Sequence, residues 1–288
     1  MSNIQEIRRQ IEGIHNIQKL AKTMEMISAS KMHKAQKLML ISRPYSDTIR
    51  KVINHIALGK LEYKHPYFIK RHTQNVGYWV ISSDRGLSGG LNINLFRVLL
   101  QDINKWYQLN IKTKLSIIGS KATSFFNYIN PNMIVSCISG IGDTPKISDL
   151  IGSVQIMLKL FNDNKIDRLY LVYNKFINTL SQSPQILQIL PIVPDSKCSS
   201  IKKYWDYLYE PDPQTLFDLL LTRYIESQIY QGVVENLASE QSARMMAMKT
   251  AADNGENLIK ELKLLYNKVR QSKITQELTE IISGASVI

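Results

Sequence analysis

A chain of 288 residues, 44% hydrophobic and 21% charged, has the composition of one or two folded domains, which excludes an intrinsically disordered protein. No apolar run approaches the ~20 residues of a membrane-spanning helix. The first thirty residues carry acidic groups in a helical pattern where a secretory signal would have an apolar core, so a soluble, unprocessed chain is expected. The net charge of +12 raises nucleic-acid binding, but the basic residues from Arg8 to Lys51 are spread along helical segments without an RNA-binding signature or interleaved aromatics. They form either a solvated helix face or a cationic face turned to an acidic protein partner.

From Ile4 the apolar positions Ile7, Ile11, Ile14, Ala21, Met24, Ser28, Ala35, Leu38, Tyr45, Ile49, Val52 and Ile56 follow steps of three and four with small or polar interruptions. This spacing predicts one long amphipathic helix over the first sixty residues. Pro44 should kink or break it, since proline removes a backbone donor. The middle of the chain alternates β-rich and helical runs. Strands are predicted over 76–84, 114–120, 133–139, 168–176 and 186–192, and helices over 92–107, 121–128 and 148–162, the last capped by Ser148. That pattern is an α/β layer structure, a small open sheet with crossovers of Rossmann-like topology.

Between the first strand and its helix, SDRGLSGGLN places Gly86, Gly89 and Gly90 where backbone amides approach a phosphate in other folds. Neither G-x-G-x-x-G nor a P-loop lysine is present, so a tight strand-to-helix turn is the better reading. The two cysteines, Cys137 and Cys198, fit no ligand spacing, and Cys137 sits in the apolar run IVSCIS as an expected core residue. The five histidines form no metal-ligand pair. No cofactor and no metal site is expected. The segment CSSIKKYWDYLYEPDPQ ends this region as either a loop packed on the sheet or a docking surface.

From Gln214 to Ile288 no proline occurs and helical spacing persists, which predicts a second helix on the order of 110 Å long. Its stripe is Leu237, Ala247, Ala251, Leu258, Leu262, Leu265, Val269, Leu278 and Ile281 or Ile282. Two stripes separated by a folded middle close on each other most simply as an intramolecular antiparallel coiled coil. The expected division is 1–60 for the N-terminal coiled-coil helix, 61–213 for the central α/β globular domain, or foot, and 214–288 for the C-terminal coiled-coil helix. With the lower ends level, roughly 30 Å of the second helix is left unpaired, and a lone apolar-striped helix calls for a surrounding protein.

IRRQIEGIHNIQKLAKTMEMISASKMHKAQ near the start, SDRGLSGGLNINLF in the middle and ESQIYQGVVENLASEQSARMMAMKTAADNGENLIKELKLLYNKVRQSKITQELTEIISGA at the end together resemble the γ subunits of F-type ATP synthases, across essentially the whole chain. The resemblance implies a rotor shaft without bond chemistry of its own. Its coiled coil would stand inside a head of α and β subunits, and its foot, with the ε subunit, would rest on the membrane-embedded c-ring, one copy per complex. Proton-driven rotation would then exchange the conformations of three catalytic β subunits. Carried over by position, head contacts fall on Lys22, Met24, Arg244, Arg270, Gln271 and Thr275, and ring or ε contacts on Tyr207, Tyr209, Glu210 and Asp212. Ser88 stands where many relatives have cysteine, and no insertion carries the cysteine pair of chloroplast relatives. Because the family motif begins within the first residues, a bacterial protein held at the cytoplasmic face of the inner membrane through the c-ring is expected.

Overall fold

The computed structural model describes residues 4–58, 65–193 and 213–285. Its elements are α1 (Ile4–Leu58), β1 (Asn75–Ile81), α2 (Leu91–Gln108), β2 (Lys112–Ile118), α3 (Ser120–Ile129), β3 (Ile134–Ile138), α4 (Ile147–Asn162), β4 (Arg168–Phe176), β5 (Gln182–Leu190) and α5 (Pro213–Ala285). Single turns of 3-10 helix at Pro66–Phe68 and Pro131–Met133 precede β1 and β3. All five expected strands and the three internal helices form, with ends shifted by a few residues. The chain divides into two compact units, one of Met1–Ala29 with Arg244–Ile288 and one of Ser30–Ala243.

In the second unit the strand order is β3-β2-β1-β4-β5. β1 lies between β2 and β4, parallel to both, and β3 is parallel to β2. β5 returns antiparallel to β4. Because side chains alternate across a strand, β1 supplies both faces of the sheet. Val76, Tyr78 and Val80 meet Leu95 and Leu99 of α2 and Phe126 of α3, while Trp79 and Ile81 join a core with Met157 and Phe161 of α4, Ile225 and Ile229 of α5, and Ile49 and Ile53 of α1. Covering helices on both faces explain why β1 is buried at nearly every position, as expected of a strand at the centre of a parallel sheet. Gly77 faces α4, where a Cβ would come within 2.8 Å of the Met157 methyl carbon.

Three local expectations are corrected. Cys137 is exposed: β3 is the sheet's edge strand, with a neighbour on one side only, and an apolar run there does not imply enclosure. Ser148 is not the cap of α4. The helix starts at Ile147 after an extended Lys146 that makes no side-chain cap bond, and the Ser148 hydroxyl donates to Asp149 Oδ1 instead. Pro44 does not break α1, which runs through it. The lost donor is outweighed by anchors on both sides, Met39 before it and Ser46, Ile49 and Ile53 after it, all buried.

The burial of α1 follows a strict seven-residue repeat. Each position at alternating steps of three and four from Ile4 to Ile53 (4, 7, 11, 14, 18, 21, 25, 28, 32, 35, 39, 42, 46, 49, 53) is buried or half-buried, the pattern of a coiled-coil seam. The seam includes Ser28, as expected, but also Gln18, Glu25, Ser42 and Ser46, so apolar spacing alone displaced it in part. Tyr45, expected on the stripe, is exposed, and its neighbour Ser46 is buried.

Candidate functional site

In the first unit the partner of this seam on α5 is equally regular. From Lys249 to Val269 the positions that are buried or half-buried are Ala252, Gly255, Ile259, Leu262, Tyr266 and Val269, again at steps of three and four. Ala21 packs with Met248 and Ala252, and the absent side chain of Gly255 faces Gln18 and Ile14, with a Cβ position 3.5 Å from Gln18 Cβ. Higher numbers on one helix meet lower numbers on the other, so the pair is antiparallel. The expected stripe was misplaced in part: Ala251, Leu258 and Leu265 are exposed. The seam mixes small residues, Ala252 and Gly255, with Ile259, Leu262, Tyr266 and Val269, while Leu258 and Leu265 lie beside it.

Past Val269 the pairing stops. All fourteen residues from 270 to 283 are exposed, about 21 Å of helix at 1.5 Å per residue. The seam phase continues onto Lys273, Gln276, Glu280 and Ser283, all polar, while the apolar residues Ile274, Leu278, Ile281 and Ile282 move to another face. The helix supports itself locally through Lys273 to Glu277 at 4.0 Å and Gln276 Nε2 donating to Glu280 Oε1 at 3.0 Å, pairs one turn apart that stabilise isolated helices.

The residues carried over as head contacts fall in different surroundings. Lys22 is exposed and Met24 half-buried beside the Ala21 cluster. The Glu256 carboxyl is held below the usual range by the hydrogen bond and charge of Lys260, with Lys22 adding to the effect. Arg244 is buried at 5% exposure. Arg270, Gln271 and Thr275 are all on the exposed end, where the Thr275 hydroxyl donates to the Gln271 carbonyl at 3.0 Å. Tyr207, Tyr209, Glu210 and Asp212 lie outside the described residues.

In the second unit the glycine-rich turn is a structural clamp. Asp84 accepts from the Ser120 amide at 2.9 Å through Oδ1 and from the Gly140 amide at 2.9 Å through Oδ2, and its carbonyl accepts from the Ser120 hydroxyl at 2.6 Å. Ser83 and Asn92 bond across the same turn. Gly119, at φ +111°, lets the chain pass Ser82, whose carbonyl oxygen would lie 2.4 Å from a Cβ. One carboxylate thus ties the chain after β1 to the start of α3 and to the turn after β3.

In sheets of this order a ligand binds in the crevice outside the carboxyl ends of the strands, where successive strands diverge to opposite sides. Here that point lies between β1 and β4, and α5 fills it. β4 continues past its last pairing with β1, Val80 with Val172, and the exposed edge is met by α5: Asn236 Oδ1 accepts from the Asn174 amide at 3.3 Å and from its Nδ2 at 3.0 Å, and the Ser239 hydroxyl donates to the Asn174 carbonyl at 3.0 Å. A further polar hollow, near Arg43, Tyr173 and Glu235, separates α1, α5 and the β4–β5 pair. Arg43 approaches Glu235 Oε1 at 3.5 Å. Burial, with a contribution from Glu235 and some relief from Arg50 and Arg43, pushes the Tyr173 hydroxyl up to about 12. Sequence reasoning missed this polar stretch of α5. Its signal was the density of Ser, Gln, Asn and Glu from Ser227 to Ser242 in a helix expected to be held by apolar stripes.

An antiparallel helix pair with an exposed continuation, carried by a chain that also folds a five-stranded α/β body, defines a coiled-coil protein with a Rossmann-like domain. The sequence matches the family model described as ATP synthase over residues 3–288, and the chain belongs to that family. It is 68% identical over 288 residues to an ATP synthase gamma chain of Blochmanniella floridana and 66% identical to one of Blochmanniella pennsylvanica (strain BPEN), with the whole of each chain covered. These relatives bear out the resemblance drawn from the three motifs. The fold is shared with a chain of the Euglena gracilis mitochondrial ATP synthase in a structure of OSCP, F1 and c-ring, at 22% identity and a TM-score of 0.72 over 99% of this chain and 94% of that one. A chain in the rotor structure of the same enzyme matches with a TM-score of 0.67, at 22% identity, covering 94% and 98%. Among the described residues no helix is long and apolar enough to cross a membrane.

Proposed function

We propose that this chain is the central rotor shaft of an F-type ATP synthase, coupling proton-driven rotation of a c-ring to conformational exchange in three catalytic β subunits, with no bond chemistry of its own. The observation that carries the reading is the end of α5. Fourteen residues stand clear of the seam and turn an apolar face outward, a surface that is stable only inside other subunits. Because one asymmetric shaft faces three equivalent catalytic subunits, differential contacts hold each in a different state at any moment, and turning the shaft exchanges them. Filling of the β1/β4 crevice by Asn236 and Ser239 supports a non-catalytic role.

Lys22, Met24, Arg244, Arg270, Gln271 and Thr275 are the head contacts of this reading, and Tyr207, Tyr209, Glu210 and Asp212 the contacts to the c-ring and ε. The chain is present in one copy per complex, binds no nucleic acid, and is peripheral at the cytoplasmic face of the bacterial inner membrane through the c-ring. Division into an N-terminal helix of residues 1–60, a foot of 61–213 and a C-terminal helix of 214–288 belongs to the same reading. Purification of the tagged chain from membranes tests it: α, β, ε and c chains are expected to come with it, together with ATP hydrolysis that the chain alone lacks. Recovery of the chain without α and β overturns the proposal.

A further inference from the structure

Between Tyr224 and Ser242 helix α5 is enclosed on almost every side, yet nine of its buried residues in this stretch are polar. Apolar burial holds a helix against a sheet without fixing its rotation, because the attraction is non-directional. Hydrogen bonds are directional. The polar residues face two ways. Gln228 Nε2 donates to Ser46 Oγ at 2.8 Å, and Ser42 Oγ donates to Gln231 Oε1 at 2.6 Å, tying α5 to α1. Asn236, Ser239 and Ser242, on successive turns, meet the Asn174 amide, the Asn174 carbonyl and the Thr179 carbonyl, the last at 2.7 Å.

The strand is prepared for this. The amide and the carbonyl of Asn174 both turn to the side away from β5, as in the non-hydrogen-bonded pairs of an antiparallel ladder, and on that side β1 has already ended, its last pairing with β4 being Val80 with Val172. The backbone donor and acceptor of Asn174, a residue 1% exposed, are therefore left for α5 to satisfy. Gly232, one turn earlier, allows the close approach: its Cβ position lies 3.0 Å from Leu171 Cδ2. A turn of α5 by a single residue, about 100°, would strand the amide and carbonyl of Asn174 in a dry interior, where an unmade hydrogen bond carries its full desolvation penalty.

We infer that Asn174, Asn236 and Ser239 are the joint through which twisting force passes between α5 and the sheet domain. They are positioning residues that fix the rotation and axial register of the helix on β4 while load is applied. The inference rests on the shaft reading above. Without load, the surrounding apolar core keeps the helix seated; under load, the hydrogen bonds prevent it from slipping about its own axis.

The test uses the complete complex reconstituted in vesicles, comparing Asn236→Leu, which keeps the branched shape and removes the acceptor, with Asn236→Asp, which keeps an acceptor for both Asn174 donors. ATP synthesis against a proton gradient is the loaded readout, and ATP hydrolysis with the gradient collapsed is the unloaded one. Asn236→Leu is expected to lower synthesis about tenfold, the effect of losing roughly one to two net hydrogen bonds, with hydrolysis within about twofold of wild type, and Asn236→Asp is expected to restore synthesis. Equal losses in both readouts, or no loss in either, overturn the joint. Ser239→Ala, which removes one bond and little volume, gives the same comparison at smaller amplitude should Asn236→Leu not assemble. Failure of the shaft reading is separable, since the wild-type complex would then make ATP as well without this chain as with it.

Discussion

Gly119 illustrates how one missing side chain holds a domain together. It joins β2 to α3 with φ at +111°, a region that β-carbon sterics close to other residues, and the Ser82 carbonyl occupies the place where a Cβ would be. The same Ser82 accepts from the Ala122 amide at 3.0 Å, so the strand and helix cannot part to make room without losing that bond. Gly119→Ala is expected to destabilise the chain by about 2–4 kcal/mol, combining backbone strain with overpacking. Urea unfolding of the full chain measures it, and a shift below about 1 kcal/mol would contradict the account. Asp84 works in the opposite sense, by what it adds. The motif SDRGLSGG advertised a turn in the sequence, but the partners of Asp84, Ser120 at the start of α3 and Gly140 in the turn after β3, come from later in the chain and were not legible.

At the scale of elements, α1 shows packing overriding local propensity. Proline in a helix interior costs about 3 kcal/mol relative to alanine, and the sequence reading placed a kink or break at Pro44. The element survives because its seam is anchored on both sides of the proline, by Met39 and Ser42 before it and Ser46 and Ile49 after it. Pro44→Ala should therefore stabilise the chain by about 1–3 kcal/mol, read as a rise in the urea midpoint with an unchanged slope. No gain would mean that proline fits the backbone here without penalty. The existence of both long helices was legible from periodicity. Their contact lines were legible only in part: Ile7, Ile14, Ala21, Ser28, Ala35, Ile49, Leu262 and Val269 fall on the seam as expected, but Gln18, Ser42, Ser46, Gly255 and Tyr266 join it unannounced while Leu258 and Leu265 do not.

On the scale of the molecule in its complex, the proposed shaft role places the exposed end of α5 against other subunits. Gln271 and Thr275 stand there one turn apart, away from any partner helix, with the threonine hydroxyl bonded to the glutamine's own carbonyl. That bond uses the hydroxyl proton and leaves the oxygen free to accept from a neighbouring subunit. The double variant Gln271→Ala with Thr275→Ala is expected to reduce ATP synthesis by the complete complex about 5- to 10-fold, with helix content by circular dichroism unchanged. Unaltered synthesis would remove both residues from the mechanism. Ile274, Leu278, Ile281 and Ile282 give this end an apolar side without the fixed ion pairs that would stall a turning shaft.

Periodicity determined that the chain has two long helices and a five-stranded α/β middle, because 3.6- and 2-residue repeats are properties of local backbone geometry and survive without knowledge of the partner. The motifs determined the family. Tertiary structure alone decided which side chains meet: that Cys137 lies on an open edge, that α5 fills the crevice where a sheet of this order takes a ligand, and that Asn174 is satisfied by Asn236 and Ser239. Those facts depend on contacts between residues sixty or more positions apart, or on which strand ends up at the border. A one-dimensional pattern carries polarity and spacing but not the directions in which hydrogen bonds will find each other.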